Sequence, residues 1–128
     1  MQLTIHNRIE IVQSKIETIC ERVGRHSKEI TFIAVTEGHG IEKVIETLNN
    51  QVTDLGENRS QELVLKQEQL AYRPIQPKWH FLGHLQSNKV KKIVNKIDTL
   101  HSLDSVSLID SINKHRLEAK KNNEINSD

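Results

Sequence analysis

A single cysteine, Cys20, stands in the 128 residues, so no internal disulfide can form and nothing marks the chain for an oxidising compartment. Aromatic residues make up only 3%, which leaves Ile, Leu and Val to fill any core. The formal net charge of +1 is too small to draw the chain to nucleic acid or to an anionic membrane. No apolar run approaches the roughly 18 residues of a membrane span. The first residues, MQLTIHNRIE, bring in charge before a secretory apolar segment could form. These absences predict a cytoplasmic protein with neither nucleic acid nor membrane as partner. They also predict that Cys20, beside Ile19 in an amphipathic pattern, is a buried structural thiol.

What is present is an alternation. Ile5, Ile9, Val12, Ile16, Ile19 and Val23 recur at steps of four and three, which predicts one long helix between Leu3 and Arg25, closed by Gly24. Ile30 to Val35 is a β-branched run of the kind buried on both faces in a parallel sheet, and it leads into Thr36-Glu37-Gly38. Helix and strand patterns then repeat. Ile41, Val44, Ile45 and Leu48 mark a helix, Val52 to Gly56 a strand, and Asn58 to Leu70 a polar helix. After a loop with Pro74 and Pro77 come a strand at Trp79 to Gly83, a helix carrying Val90, Ile93, Val94 and Ile97, and a strand at Thr99 to Leu103. Asp104 or Ser105 can cap a last helix with its stripe at Val106, Ile109 and Ile112, and the polar tail from Lys120 to Asp128 is expected to fray.

One helix followed by four β/α units predicts an α/β protein with a parallel sheet and right-handed crossovers. An open doubly wound sheet and half of an eight-unit barrel, which normally needs about 250 residues, both satisfy that pattern. Either architecture binds ligands at the carboxyl ends of its strands. The residues to weigh are therefore Thr36-Glu37, Glu57-Asn58, Gly83 to Gln86, and Ser102 to Asp104.

Three of these strand ends form recognisable strings. Leu55-Gly56-Glu57-Asn58-Arg59-Ser60-Gln61-Glu62 resembles the GEN-x-x-QE segment of the pyridoxal phosphate homeostasis family, whose fold is that of the alanine racemase N-terminal barrel. Trp79 to Lys89, WHFLGHLQSNK, resembles that family's WHFIG-x-LQ-x-NK segment, and His101-Ser102-Leu103-Asp104-Ser105 its HS-x-D element. Phe32 to Thr36 fits the strand that opens the barrel. The resemblance spans nearly the whole chain. It implies residues 1–128 as one truncated domain, an incomplete parallel (β/α) barrel of the type that binds pyridoxal 5'-phosphate. It implies a cofactor carrier or regulator, not an enzyme, with Glu37, Asn58, His80 and Gly83 at the cofactor site.

Two departures qualify that expectation. The family strand runs into a lysine that holds the cofactor as an imine, whereas the string here is Val35-Thr36-Glu37. A carboxylate cannot condense with an aldehyde, and Lys43, the nearest lysine along the chain, falls in the next helix pattern. The family's phosphate-binding groups come from later segments, and no glycine-rich phosphate loop replaces them here. Covalent attachment is therefore not expected, and any binding of the cofactor is weak and non-covalent. The alternative function is a non-catalytic structural or interaction module, because four strands without closure leave two open edges that invite a second copy or a partner chain. A hydrolase or lyase using Glu37 as acid or base lacks a second catalytic group.

The remaining candidates have plain readings. His80 and His84, four residues apart along a strand, stand roughly 13 Å apart and cannot share an ion. His39, His84 and His101 could converge from different strand ends, but no acidic or cysteine ligand pattern accompanies them, so no metal is expected. Lys89, Lys92 and Lys96 share a helix face that reads as solvated, and Trp79 reads as core. Asn58 has a second reading as N-cap of the helix that follows it, and Glu37 reads as a solvated residue at the mouth of the site.

Overall fold

The computed structural model describes residues 3–126. A long helix α1 (Ile5–Val23) precedes β1 (Ile33–Val35), α2 (Ile41–Asn49), β2 (Asp54–Glu57), α3 (Ser60–Leu70), β3 (Lys78–Phe81), a short α4 (Val90–Ile93), β4 (Thr99–Leu100) and α5 (Val106–Asn126). The four strands form one sheet in chain order, every neighbouring pair parallel. Sequential parallel strands joined by helices are what the alternating pattern demands.

The strands alternate between two environments. Leu55, Trp79 and Phe81 point to the helices and join Val44, Leu48, Leu63 and Ile93 in the main core. Gly56 and His80 lie on the other face. A Cβ on Gly56 would press on Leu82 and Ile33, so those apolar side chains share that face. Val35 also remains 52% exposed. In a closed barrel that second face lines the interior.

Several elements differ from the sequence pattern for local reasons. The first strand is shorter than Ile30–Val35 because Ser27–Glu29 form a 3₁₀ turn that ends at Ile30. The fourth is only two residues, not five, because the chain leaves the sheet after His101 bonds Phe81. The helix at Val90 is one turn long. Gln67 holds the Lys96 carbonyl and the Asp98 carboxylate accepts the Trp79 N–H at 2.7 Å, which pulls the chain back to the sheet. In α5 the core-facing residues are Leu108, fully buried, and Ile112, while Val106 and Ile109 are exposed. Ser105 supplies the expected cap, accepting from the Leu108 N–H at 3.1 Å. This helix continues through Asn126 where fraying was expected, and Ser127 and Asp128 lie outside the described residues.

Helix α1 forms as its periodicity predicts, capped by Thr4 and closed by Gly24 in the left-handed conformation. Its stripe is only partly covered. Ile9 and the thiol-bearing Cys20 are buried, whereas Val12, Ile19 and Val23 are exposed. Among the described residues no helix is long and apolar enough to cross a membrane.

Candidate functional site

The carboxyl ends of β1, β2 and β3 converge on one polar cluster. Thr36 extends the β1 ladder through its N–H to the Gly56 carbonyl at 3.0 Å, and Glu37 emerges next. The Asn58 side chain, two positions beyond Gly56 on the same face, donates from Nδ2 to Glu37 Oε2 at 2.6 Å. Arg59 approaches Glu37 Oε1 at 3.9 Å from a largely exposed position. Glu37 is thus held by two neighbours, where the sequence suggested a merely solvated residue. Asn58 does not cap α3. Arg59 stands at the cap without a side-chain bond, because the Asn58 amide is turned toward β1.

Beneath this cluster, on the helix side of the sheet, lies a second one that the sequence reading missed. The Glu57 carboxylate is wholly buried and meets Lys66 of α3, itself buried, in a close ion pair. Lys66 Nζ also donates to the Thr36 carbonyl at 2.7 Å, and the Thr36 hydroxyl donates to Glu57 Oε1 at 2.6 Å. Glu57 Oε2 has no protein partner. One turn before Lys66, Glu62 accepts the Gly38 N–H at 3.2 Å. That bond, reinforced by the charges of Lys66 and Arg59, holds the Glu62 carboxyl below its ordinary value against some desolvation. The signal for Lys66 was present: with Leu63 and Leu70 it recurs at steps of three and four, so it occupies an apolar-face position of α3.

Gly83 packs against the same cluster. A side chain there would run into the backbone of Asn58, so only glycine lets the loops after β2 and β3 approach so closely. Ser102 donates to the Gly83 carbonyl from the loop after β4. His80 is placed differently. Its buried ring has Nε2 2.8 Å from Asp54 Oδ1 and Nδ1 2.9 Å from His101 Nε2. It therefore belongs to an Asp54–His80–His101 chain along the barrel-side face, not to the Glu37–Asn58 cluster. His84 stands apart and pairs with Asp104 at 3.4 Å. Among the described residues no group of three or more His, Cys, Asp or Glu is arranged to hold a metal ion. A cleft of about 270 Å³ opens beside the cluster, lined by Asn58, Arg59, Gln61, His84, Gln86 and Lys89.

No family model matches the chain. Curated relatives do. It is 31% identical over 114 residues to the pyridoxal phosphate homeostasis protein of Haemophilus influenzae, covering 89% of this chain and 48% of that one. It is 37% identical over 116 residues to the protein of the same name from Aquifex aeolicus, covering 91% and 49%. Over about nine-tenths of its length this chain is similar to proteins of the pyridoxal phosphate homeostasis family. It spans about half the length of the curated relatives it matches.

Solved structures agree on the fold. PipY of Synechococcus elongatus, solved with PLP bound, superposes with a TM-score of 0.70 at 32% identity, over 82% of this chain and 49% of that one. A protein of unknown function from Bifidobacterium adolescentis superposes at 0.83 and 28% identity, over 91% and 51%. The sheet is therefore part of an incomplete parallel β/α barrel, not an open doubly wound sheet.

The residues at the end of β1 do not fit a covalently held pyridoxal group. Position 37 offers a carboxylate, and the Lys66 amine, which donates to the neighbouring Thr36 carbonyl, is committed to Glu57 and Thr36 within the wall. Lys43 is carried, exposed, on α2.

Proposed function

We propose that this chain is a non-catalytic, cytoplasmic member of its family that takes a pyridoxal-type compound weakly and without a covalent bond. The binding place is the carboxyl ends of β1 to β3, with Glu37, Asn58 and Gly83 forming the floor. His80 is part of the same barrel face and orders its interior. The observation that carries this reading is the Asn58–Glu37 hydrogen bond of 2.6 Å. It occupies with a fixed carboxylate the position from which the family's lysine would reach the aldehyde.

The test is borohydride reduction of the protein mixed with pyridoxal 5'-phosphate, followed by intact and peptide mass. The expected result is no phosphopyridoxyl adduct at the strand ends. An adduct mapped to Lys66, or to Lys89 in the adjoining cleft, would sink the non-covalent reading. A yellow imine that forms only in the Glu37→Lys variant supports it.

A second reading is favoured by the uncovered apolar surface. Val35 on the barrel face and Val12, Ile19 and Val23 on α1 are exposed, and β1 and β4 are open sheet edges. Under this reading residues 1–128 form a single domain that associates through these surfaces with a second copy or a partner chain.

A further inference from the structure

We propose that the Glu37–Asn58 cluster binds a primary ammonium group, and that the ligand it selects is the amine form of the vitamin, pyridoxamine 5'-phosphate. This rests on the reading that the cleft takes pyridoxal-type compounds, and it names which of them. An aldehyde needs an amine from the protein, and position 37 provides none. A carboxylate at the same place reverses the requirement: its complement is a cation, and the aminomethyl group of pyridoxamine phosphate is protonated at neutral pH like other alkyl amines.

The geometry leaves room for that cation. An ionised carboxylate has about four acceptor sites. Among the described residues only Asn58 Nδ2 fills one at hydrogen-bond distance, since Arg59 stays at 3.9 Å. With Nδ2 turned to Glu37, the Asn58 carbonyl oxygen accepts no hydrogen bond from the described residues. An ammonium has three donors, so one such group can bridge Glu37 and Asn58 together. Glu37 is 39% exposed in its side chain, accessible to a ligand yet backed by the sheet. Asn58 also lines the cleft of about 270 Å³, whose other walls carry Arg59, His84 and Lys89. Of these, Lys89 suits the phosphate end of the same molecule.

The experiment is isothermal titration of the whole chain with three probes that share ring and phosphate but differ at one carbon. These are pyridoxamine 5'-phosphate, the alcohol pyridoxine 5'-phosphate, and pyridoxal 5'-phosphate. The amine is expected to bind about tenfold tighter than the alcohol, the scale of one charge-assisted hydrogen bond. Glu37→Gln, which keeps the side-chain shape, should bring the two within about twofold. Equal affinity for amine and alcohol in the unaltered protein overturns the inference and leaves the cofactor-site reading standing. Binding of none of the three overturns both. An unchanged amine preference in Glu37→Gln also overturns the inference, because the ammonium would then be recognised elsewhere. Circular dichroism of the variant establishes that it is folded.

Discussion

Lys66 and Glu57 form a buried ion pair that ties the ends of β1 and β2 to α3. A buried pair of this kind contributes little net stability against an apolar replacement, yet removal of one partner strands the other charge. Lys66→Met is therefore expected to lower unfolding stability by about 3–5 kcal/mol in urea titration. Adding Glu57→Gln in the same background should recover part of the loss, because the stranded charge disappears. A loss no larger than about 0.5 kcal/mol for Lys66→Met would show that the pair is not buried in solution. Glu62 permits a pH prediction. Its carboxyl sits below the ordinary value, chiefly because the Gly38 N–H donates to it. The contribution of that bond is complete above the ordinary carboxylate value and is lost as pH falls through the lowered one. The Gly38 amide resonance should therefore shift in acid with a midpoint below the ordinary Glu range. Glu62→Gln should abolish the shift.

The strands are unequal as elements. β2 and β3 pair over four positions, Asp54↔Lys78 to Glu57↔Phe81, while β3 and β4 pair over two. β1 is an edge whose barrel face is open. Amide exchange should consequently be slowest at Leu55 and Trp79 and faster by orders of magnitude at Thr99 and Leu100. Uniform protection across all four strands would mean that the edges are covered in solution. The elements also show which signals in the sequence could be trusted. The α1 stripe predicted the helix correctly but overstated its burial, because periodicity reports an apolar face and not what lies against it. In α5 Ile112 of the expected stripe packs against the core, whereas Val106 and Ile109 are exposed. The helix is oriented by Leu108 packing into the main core and by its contact with α4, which no local pattern encodes.

At the scale of the whole sheet, one face is apolar and largely uncovered among the described residues. Ile33, Val35 and Leu82 share a face with Asp54, His80 and His101, and a closed barrel would bury that face completely. Under the second reading proposed above, that face mediates association. In sedimentation velocity the weight-average mass should rise with concentration, and Val35→Lys should bring it back toward 14.8 kDa. A concentration-independent monomer with a cooperative melt would argue against association. The relatives are about twice as long, which accords with a sheet that supplies four strands of a barrel.

The order of strands and helices, the burial of Cys20 and Trp79 and the position of Glu37 at the first strand end were all legible in the residues themselves. They depend on period, turn chemistry and short strings, which are properties of neighbours along the chain. The choice of barrel was legible only through resemblance. What tertiary structure alone decided is which distant groups meet: Asn58 with Glu37, Lys66 with Thr36 and Glu57, and His80 with Asp54 and His101. Those contacts join residues 9 to 30 positions apart, and they exist only once parallel strands have set the register between them.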